Sequence, residues 1–210
     1  MIIEHFVVGM LQTNCYLLGD PESRQAVVID PGGDSIKIAK RIREQDLNLA
    51  AILNTHGHFD HILDAWSLKK QCGGEIYLHP KDEPLLDSPM AGLAKMFKAA
   101  SGSLEKRIDR SLEGDEALSF GSIRLQVLST PGHTPGHVSF YCREAGVIFV
   151  GDTLFAGSIG RTDFPGGSYD ELIRSVREKI FPLDGATIVY PGHGPETKVE
   201  RERRTNPFFR

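Results

Sequence analysis

Apolar and polar positions along the chain form two kinds of segment. Nine apolar runs of strand length, many of them rich in Val, Ile and aromatic residues, are bounded by turn-forming residues, which is typical of β-strands. In chain order these runs are IIEHFVV, CYLLG, AVVIDPGG, LAAILNTH, EIYLH, IRLQVLST, VSFYC, VIFVGD and TIVYPGH. Nine strands are enough for two sheets.

Helical periodicity occurs between these runs. One predicted helix opens at Asp34 and Ser35 and continues through Ile42, and a second spans 60–70. The clearest helix has Ser168 as its N-cap and Glu171 three residues later, a pairing that marks a helix N-terminus. Its predicted apolar face consists of Tyr169, Leu172, Ile173, Val176 and Ile180. A face of this kind is expected to pack against a sheet.

The segment 80–110 differs from its surroundings because it combines helix formers with internal prolines and a polar tail. We expect Met90, Met96 and Phe97 to anchor it on the core. The alternative is a lid whose side chains line a substrate entrance.

Composition favours one soluble globular domain over 1–210, with 40% hydrophobic and 25% charged residues. The net charge of −4 argues against nucleic-acid or anionic-membrane binding, which leaves a small molecule as the expected partner. No apolar run is long enough to span a bilayer, and the N-terminus is unlike a signal peptide, so we expect a cytoplasmic protein. Cys15, Cys72 and Cys142 lack CxxC spacing and are expected to be reduced thiols.

Histidines are concentrated in one short polar segment, THGHFDH, that follows a predicted strand. Three imidazoles and one carboxylate stand within six residues, namely His56, His58, Asp60 and His61. Buried imidazoles at this density would need many hydrogen-bond partners, whereas a divalent cation satisfies imidazole nitrogens and a carboxylate together. The cluster therefore predicts a metal site.

Three further residues of ligand type follow later apolar runs. His133 lies in STPGHTPGH, Asp152 ends VIFVGD, and His193 lies in YPGHGPET. Taken singly, each has an ordinary structural explanation, such as a helix cap for Asp152. Side chains at strand ends along one sheet edge can converge from distant parts of the sequence. Together with the first cluster, these residues favour one metal centre.

This order of residues resembles the metallo-β-lactamase fold superfamily, whose HxHxDH signature is followed by His, Asp and His. Within it the chain is similar to the glyoxalase II group, and more closely to its short bacterial members without the C-terminal helical domain. The similarity extends over NCY at 14–16, GDTLFAGSIGRTDFPGGS at 151–168, YPGHGPET at 190–197 and NPF at 206–208. It implies an α/β fold, a four-layer αββα sandwich with metals at one edge.

The resemblance also implies how the ligands are distributed. It assigns His56, His58 and His133 to a first metal, Asp60, His61 and His193 to a second, and Asp152 to both. Two divalent ions are therefore expected. Zinc is the first expectation, and iron or manganese are alternatives, because His and Asp donors accept all three.

The activity implied is hydrolysis of a thioester, S-2-hydroxyacyl-glutathione or a related acyl-thiol, by a hydroxide that bridges the metals. Classical members use a C-terminal domain to grip glutathione, so we expect this chain to tolerate changes in the thiol portion. The alternative is an iron-dependent persulfide dioxygenase, with iron on His56, His133 and Asp152. That group shares GRTDF at 160–164, but the intact second ligand set favours the hydrolase.

Several other polar residues could support such a site. Arg161, in a glycine-rich loop, is expected either to form a loop-bracing pair with Asp163 or to bind a substrate carboxylate. His137 is expected to support the ligands or to pack. Asp30 is expected to hold backbone amides beneath the metal loop, and His5 to be an ordinary histidine.

Overall fold

The apolar runs form the strands of two six-stranded sheets in the computed structural model, which describes residues 1–87 and 108–210. In the first sheet the strands stand in chain order: β1 (Ile2–Val8), β2 (Thr13–Gly19), β3 (Gln25–Ile29), β4 (Asn48–Leu53), β5 (Glu75–Leu78) and β6 (Arg110–Ser111). β1 to β3 are antiparallel, and β3 to β6 are parallel.

The second sheet is built from the later part of the chain. Its strands are β7 (Ala117–Phe120), β8 (Ile123–Ser129), β9 (Val138–Cys142), β10 (Val147–Gly151), β13 (Ile188–Pro191) and β14 (Thr197–Lys198). They stand in the order β14-β13-β10-β9-β8-β7, with β10 and β13 parallel and the other pairs antiparallel. A small hairpin joins β11 (Leu154–Phe155) to β12 (Ser158–Ile159).

Helices connect these strands. They are α1 (Ser35–Glu44), α2 (Phe59–Ile62), α3 (Ala65–Cys72), α4 (Tyr169–Ser175) and α5 (Val199–Thr205), with 3₁₀ turns at Pro80–Asp87 and Pro207–Phe209 and a π-helical turn at Val176–Ile180. Ser168 caps α4 as predicted, since its side chain accepts a hydrogen bond from the Glu171 amide. None of the helices within the described ranges is long and apolar enough to cross a membrane.

The helix predicted over 60–70 is in fact two helices. The Asp64 amide donates to the Pro31 carbonyl at 3.0 Å, which interrupts the succession of helical hydrogen bonds between α2 and α3. The Asp64 carboxylate in turn accepts a hydrogen bond from the Ser35 amide at the start of α1. The break therefore ties the two helices to the loop after β3.

Three apolar clusters confirm the predicted four-layer αββα sandwich. Residues of both sheets meet in the central cluster, α1 and α3 cover the outer face of the first sheet, and α4 covers the outer face of the second. Because helices lie outside both sheets, strand residues are buried on either face. Leu17 and Leu18, both fully buried neighbours in β2, belong to the outer and the central cluster respectively. Met90, Met96 and Phe97 lie outside the described residues.

Strand direction determines where polar loops gather. β10 and β13 are parallel, and β8 has the same direction because β9 is antiparallel to both β8 and β10. The loops that follow β8, β10 and β13 therefore leave the second sheet at one edge. These loops contain His133, Asp152 and His193.

Candidate metal centre

All seven predicted metal-ligand residues lie together at this edge, where the loop after β4 meets the loops after β8, β10 and β13. Three groups each place their nitrogen or carboxylate oxygen atoms within 4.8 Å of one another: His56, His58 and His133; His56, His61 and Asp152; and Asp60, His61 and His193. Each group could hold a metal ion. The first and third match the two ligand sets that the resemblance implied.

In the first group, imidazole nitrogens face one another. His58 Nδ1 and His133 Nε2 are 2.9 Å apart. The ring of His56 stands edge-on to both, with ring centroids at 4.8 Å from His58 and 4.9 Å from His133. Three imidazoles directed at one point are a common protein arrangement for a divalent cation.

Asp152 lies between the groups. Its Oδ1 is 3.4 Å from His61 Nε2, while its Oδ2 is 3.7 Å from both His133 Nε2 and His193 Nε2. One carboxylate therefore faces imidazoles of both predicted ligand sets. This is the position that a bridging carboxylate would need.

Asp60 supplies the carboxylate of the outer group. Its Oδ2 lies 3.2 Å from His193 Nε2 and 3.5 Å from His61 Nε2. Thr13 donates a hydrogen bond to the same oxygen at 3.2 Å. His193, at 29% side-chain exposure, is open to solvent, whereas His61 is fully buried, so the centre is accessible from the His193 side.

The chemistry of these residues fits bound cations. Among the described residues, His56 Nε2, His61 Nε2 and Asp152 Oδ1 are buried atoms without a hydrogen-bond partner. Buried polar atoms are rarely left unpaired, and all three of these atoms are directed into the centre. A coordinated cation would satisfy them together.

The pKa values of the site residues also fit bound cations. Burial lowers the pKa of His56, and burial beside His133 lowers the pKa of His58 to about 4, so both favour the neutral form that binds metals. Burial opposes a charge on His61, but the surrounding carboxylates raise its pKa to about 10. Burial also opposes ionisation of Asp60, yet His61 and His193 lower its pKa. Around His61 the protein thus provides a field suited to positive charge.

Two polar side chains orient the ligands from behind. Asp30 accepts hydrogen bonds from the amide and hydroxyl of Thr55, each at 2.7 Å, and lies 3.0 Å from His61 Nδ1. It thus holds the loop as predicted and also directs the other nitrogen of His61 into the centre. His137 stacks on His56, and its Nε2 accepts a hydrogen bond from the Asp152 amide at 3.2 Å.

The loop that contains His193 is held by β2. Asn14 Nδ2 donates to the carbonyls of Pro191 at 3.0 Å and Gly194 at 2.8 Å, and the Tyr16 hydroxyl donates to Pro191 at 2.7 Å. His5 Nε2 lies 2.7 Å from Asn14 Oδ1, so this histidine belongs to the support of the centre rather than being an ordinary one. The sequence alone indicates no role for His5. For Asn14, the NCY motif at 14–16 is the sequence feature that marks the residue.

Arg161 lies at the rim of the first group. Its guanidinium forms two hydrogen bonds with Asp163, at 2.9 and 2.7 Å, and lies 4.3 Å from the centre of the Phe164 ring. That ring is 5.5 Å from the ring of His58. The Arg161 carbonyl oxygen is 2.7 Å from His133 Nδ1, and this main-chain contact fixes the ring of His133. The sequence did not indicate it.

A model of the metallo-beta-lactamase superfamily matches residues 8–193, which includes the whole centre. The chain belongs to this superfamily. The predicted resemblance is thereby confirmed, and the match supports a metal-dependent enzyme of the hydrolase type.

Two relatives of this chain are named for different activities. The hydroxyacylglutathione hydrolase GloC of Haemophilus influenzae is 41% identical over 100% of this chain and 98% of its own length. A mitochondrial persulfide dioxygenase of Bos taurus is 36% identical over 93% of this chain and 70% of its own length. Both activities suggested by the sequence are therefore represented among relatives.

Solved structures share the fold closely. BLEG-1, named as a B3 metallo-beta-lactamase, has a TM-score of 0.89 and 37% identity, with 99% of each chain covered. TTHA1623 in a di-iron-bound form has a TM-score of 0.85 and 39% identity, covering 98% of this chain and 99% of that one. The His and Asp groups described above are suited to a dinuclear metal site.

Proposed function

We propose that this chain is a metal-dependent thioester hydrolase that acts on acyl-thiols of the S-2-hydroxyacyl-glutathione class. The observation that carries the proposal is the position of Asp152 between two complete groups of ligand residues. Similarity to a hydroxyacylglutathione hydrolase over the full length supports the substrate class.

The chain provides what this reaction requires. His56, His58 and His133 would hold one divalent ion, Asp60, His61 and His193 would hold another, and Asp152 would contact both. Bound there, such ions polarise a carbonyl oxygen and lower the pKa of water. A thiolate is a good leaving group, so no protein acid is needed to protonate it. The residues of the chain thus have two tasks, to hold charge in place and to orient the substrate.

A cavity beside Asp60 offers space for the acyl portion. It has a volume of about 210 Å³ and lies between the β1–β2 hairpin and α2. Met10, Leu11, Phe59 and Leu63 line it together with Thr13 and Asp60. Because Asp60 borders both the cavity and the centre, an acyl group placed there would keep its carbonyl beside the ligand residues.

Persulfide dioxygenation is the second candidate, favoured by the relative of that activity. It would use one iron on His56, His133 and Asp152, all of which lie in the centre. That arrangement would leave the complete outer group of Asp60, His61 and His193 without a metal ion, which is why we favour hydrolysis.

One experiment separates the activities. The purified chain, loaded in turn with zinc and with iron, is given lactoylglutathione under anaerobic conditions, and free thiol is followed. We expect thiol release without dioxygen. Oxygen uptake with glutathione persulfide and no thioesterase activity would reassign the chain to the dioxygenases, and turnover of a β-lactam alone would assign it to the lactamases.

Arg161 is proposed to bind a substrate carboxylate from the rim of the centre. We expect Arg161→Ala to raise KM for lactoylglutathione roughly three- to tenfold, with kcat, metal content and melting temperature nearly unchanged, because the side chain is exposed. Asp163→Ala is the matched control, since it breaks the same ion pair but leaves the guanidinium. Lower stability or disturbed metal loading in both variants, with little change in KM, would instead indicate a loop brace.

A further inference from the structure

A buried carboxylate outside the ligand set lies behind the first group. Asp82 is fully buried in the 3₁₀ turn Pro80–Asp87. Its Oδ2 accepts hydrogen bonds from the Gly57 amide at 3.0 Å and the Thr134 hydroxyl at 2.6 Å, and its Oδ1 accepts one from the Gly136 amide at 2.7 Å. All three donors belong to loops that contain metal-ligand residues.

The positions of these donors relate Asp82 to the ligands. Gly57 stands between His56 and His58, and Thr134 directly follows His133. One carboxylate therefore joins the loop after β4 to the loop after β8, and these two loops contain all three imidazoles of the first group. The Val138 amide at the start of β9 also donates a hydrogen bond to the Thr55 carbonyl at 2.8 Å, so removal of Asp82 would loosen rather than separate the two loops.

Close packing at both loops leaves little freedom around this carboxylate. A Cβ atom on Gly57 would lie 2.5 Å from the Asp82 carbonyl oxygen, and one on Gly136 would lie 2.7 Å from Asp82 Oδ1. Glycine is required at both positions because the main chain of each loop lies directly against Asp82. Contacts with Asp82 thus restrict the position of both loops.

We propose that Asp82 is a positioning residue that holds the loops of His58 and His133 at the separation the first metal ion requires. Asp82 itself contacts none of the ligand side chains in its hydrogen bonds. Without it, the imidazoles would have to be drawn together when the ion binds, and the affinity of the first group would fall. The inference depends on the metal centre and not on which reaction the centre carries out.

The test measures metal affinity group by group. His193→Ala weakens the outer group, so in that background a titration of the metal-free protein with Co²⁺ against a competing chelator reports the first group. We expect Asp82→Asn to weaken Co²⁺ binding there about 10- to 100-fold, as is usual for contacts that orient ligands. In the His133→Ala background, which leaves the outer group, the same substitution is expected to change Co²⁺ affinity less than twofold.

Asn keeps the shape of Asp82 but cannot accept hydrogen bonds at both ends of the side chain, so one loop loses its partner. If Asp82→Asn does not fold, Thr134→Val removes a single donor and is expected to weaken Co²⁺ binding several-fold. The absorption bands of bound Co²⁺ report the geometry of the first group directly and are expected to shift in both variants.

Asp20 provides a matched control. It directly follows β2, at the end of that strand away from Thr13 and the metal centre. It is also buried and accepts hydrogen bonds from the Glu22 amide, the Ser23 hydroxyl and the Ser122 amide. Asp20→Asn is expected to lower the melting temperature without changing Co²⁺ affinity or the Co²⁺ spectrum. If Asp82→Asn behaves like Asp20→Asn, with lower stability and wild-type Co²⁺ binding, Asp82 is a structural residue and the proposal is wrong.

Discussion

Replacing Asp152 with alanine is expected to impair binding at both metal positions rather than at one. The Asp152 carboxylate lies within 3.7 Å of imidazole nitrogens from both ligand sets, so its loss removes negative charge and an oxygen donor from each. We expect activity to fall by more than the 10- to 100-fold that is usual for an orienting contact. Elemental analysis after saturation with zinc and gel filtration measures the metal content, and the rate of thiol release measures the activity.

Asp152→Asn refines this result, because it keeps one oxygen and the shape of the side chain but removes the charge. It is expected to bind more metal than Asp152→Ala and less than the wild type. Full retention of one ion by Asp152→Ala, with loss of only the other, would show that Asp152 belongs to a single metal and is not a bridge.

Alanine substitutions at His193 and His133 are expected to remove different ions. His193 belongs to the outer group and His133 to the first, and neither is in the other's set. We therefore expect two zinc ions in the wild type and about one in each variant after saturation. Co²⁺ spectra of the two variants are expected to differ, because one retained group has three imidazoles and the other has two imidazoles and a carboxylate.

A wild-type protein that saturates with one ion, together with a nearly silent His193→Ala, would contradict the dinuclear arrangement. That combination would favour the single-iron alternative. The melting temperature of each metal-free variant serves as a control, because a change in metal content has meaning only where the fold is retained.

Most of the longer strands could be predicted because each is a long apolar run. The nine predicted strands correspond to β1, β2, β3, β4, β5, β8, β9, β10 and β13. β6, β11, β12 and β14 have two residues each and β7 has four, partly exposed, so they carry too little hydrophobic pattern to be recognised. The break between α2 and α3 depends on a hydrogen bond to Pro31, and local periodicity contains no information on such a partner.

His56, His58, Asp60 and His61 could be found from sequence because their density has no ordinary structural explanation. His133, Asp152 and His193 were added because each follows a strand-like run and their order matches that of the family. Of the supporting residues, Asp30 and His137 could also be predicted, but the others could not. Asp82 and Asn14 are single polar residues whose partners lie in distant loops, and Arg161 holds His133 through a carbonyl oxygen, which every residue type possesses. Residue type in a sequence indicates which side chains can bind a metal but not which atoms fix their direction.

The hydrogen bonds from β2 to the His193 loop also affect the order in which the centre can assemble. Those from Asn14 and Tyr16 to the Pro191 carbonyl span 177 and 175 residues. A ribosome completes the three histidines of the first group when it reaches His133, whereas the outer group must wait for β13 to be synthesised and docked. Synthesis thus makes the residues of the two candidate groups available in sequence, with those of the solvent-accessible outer group last.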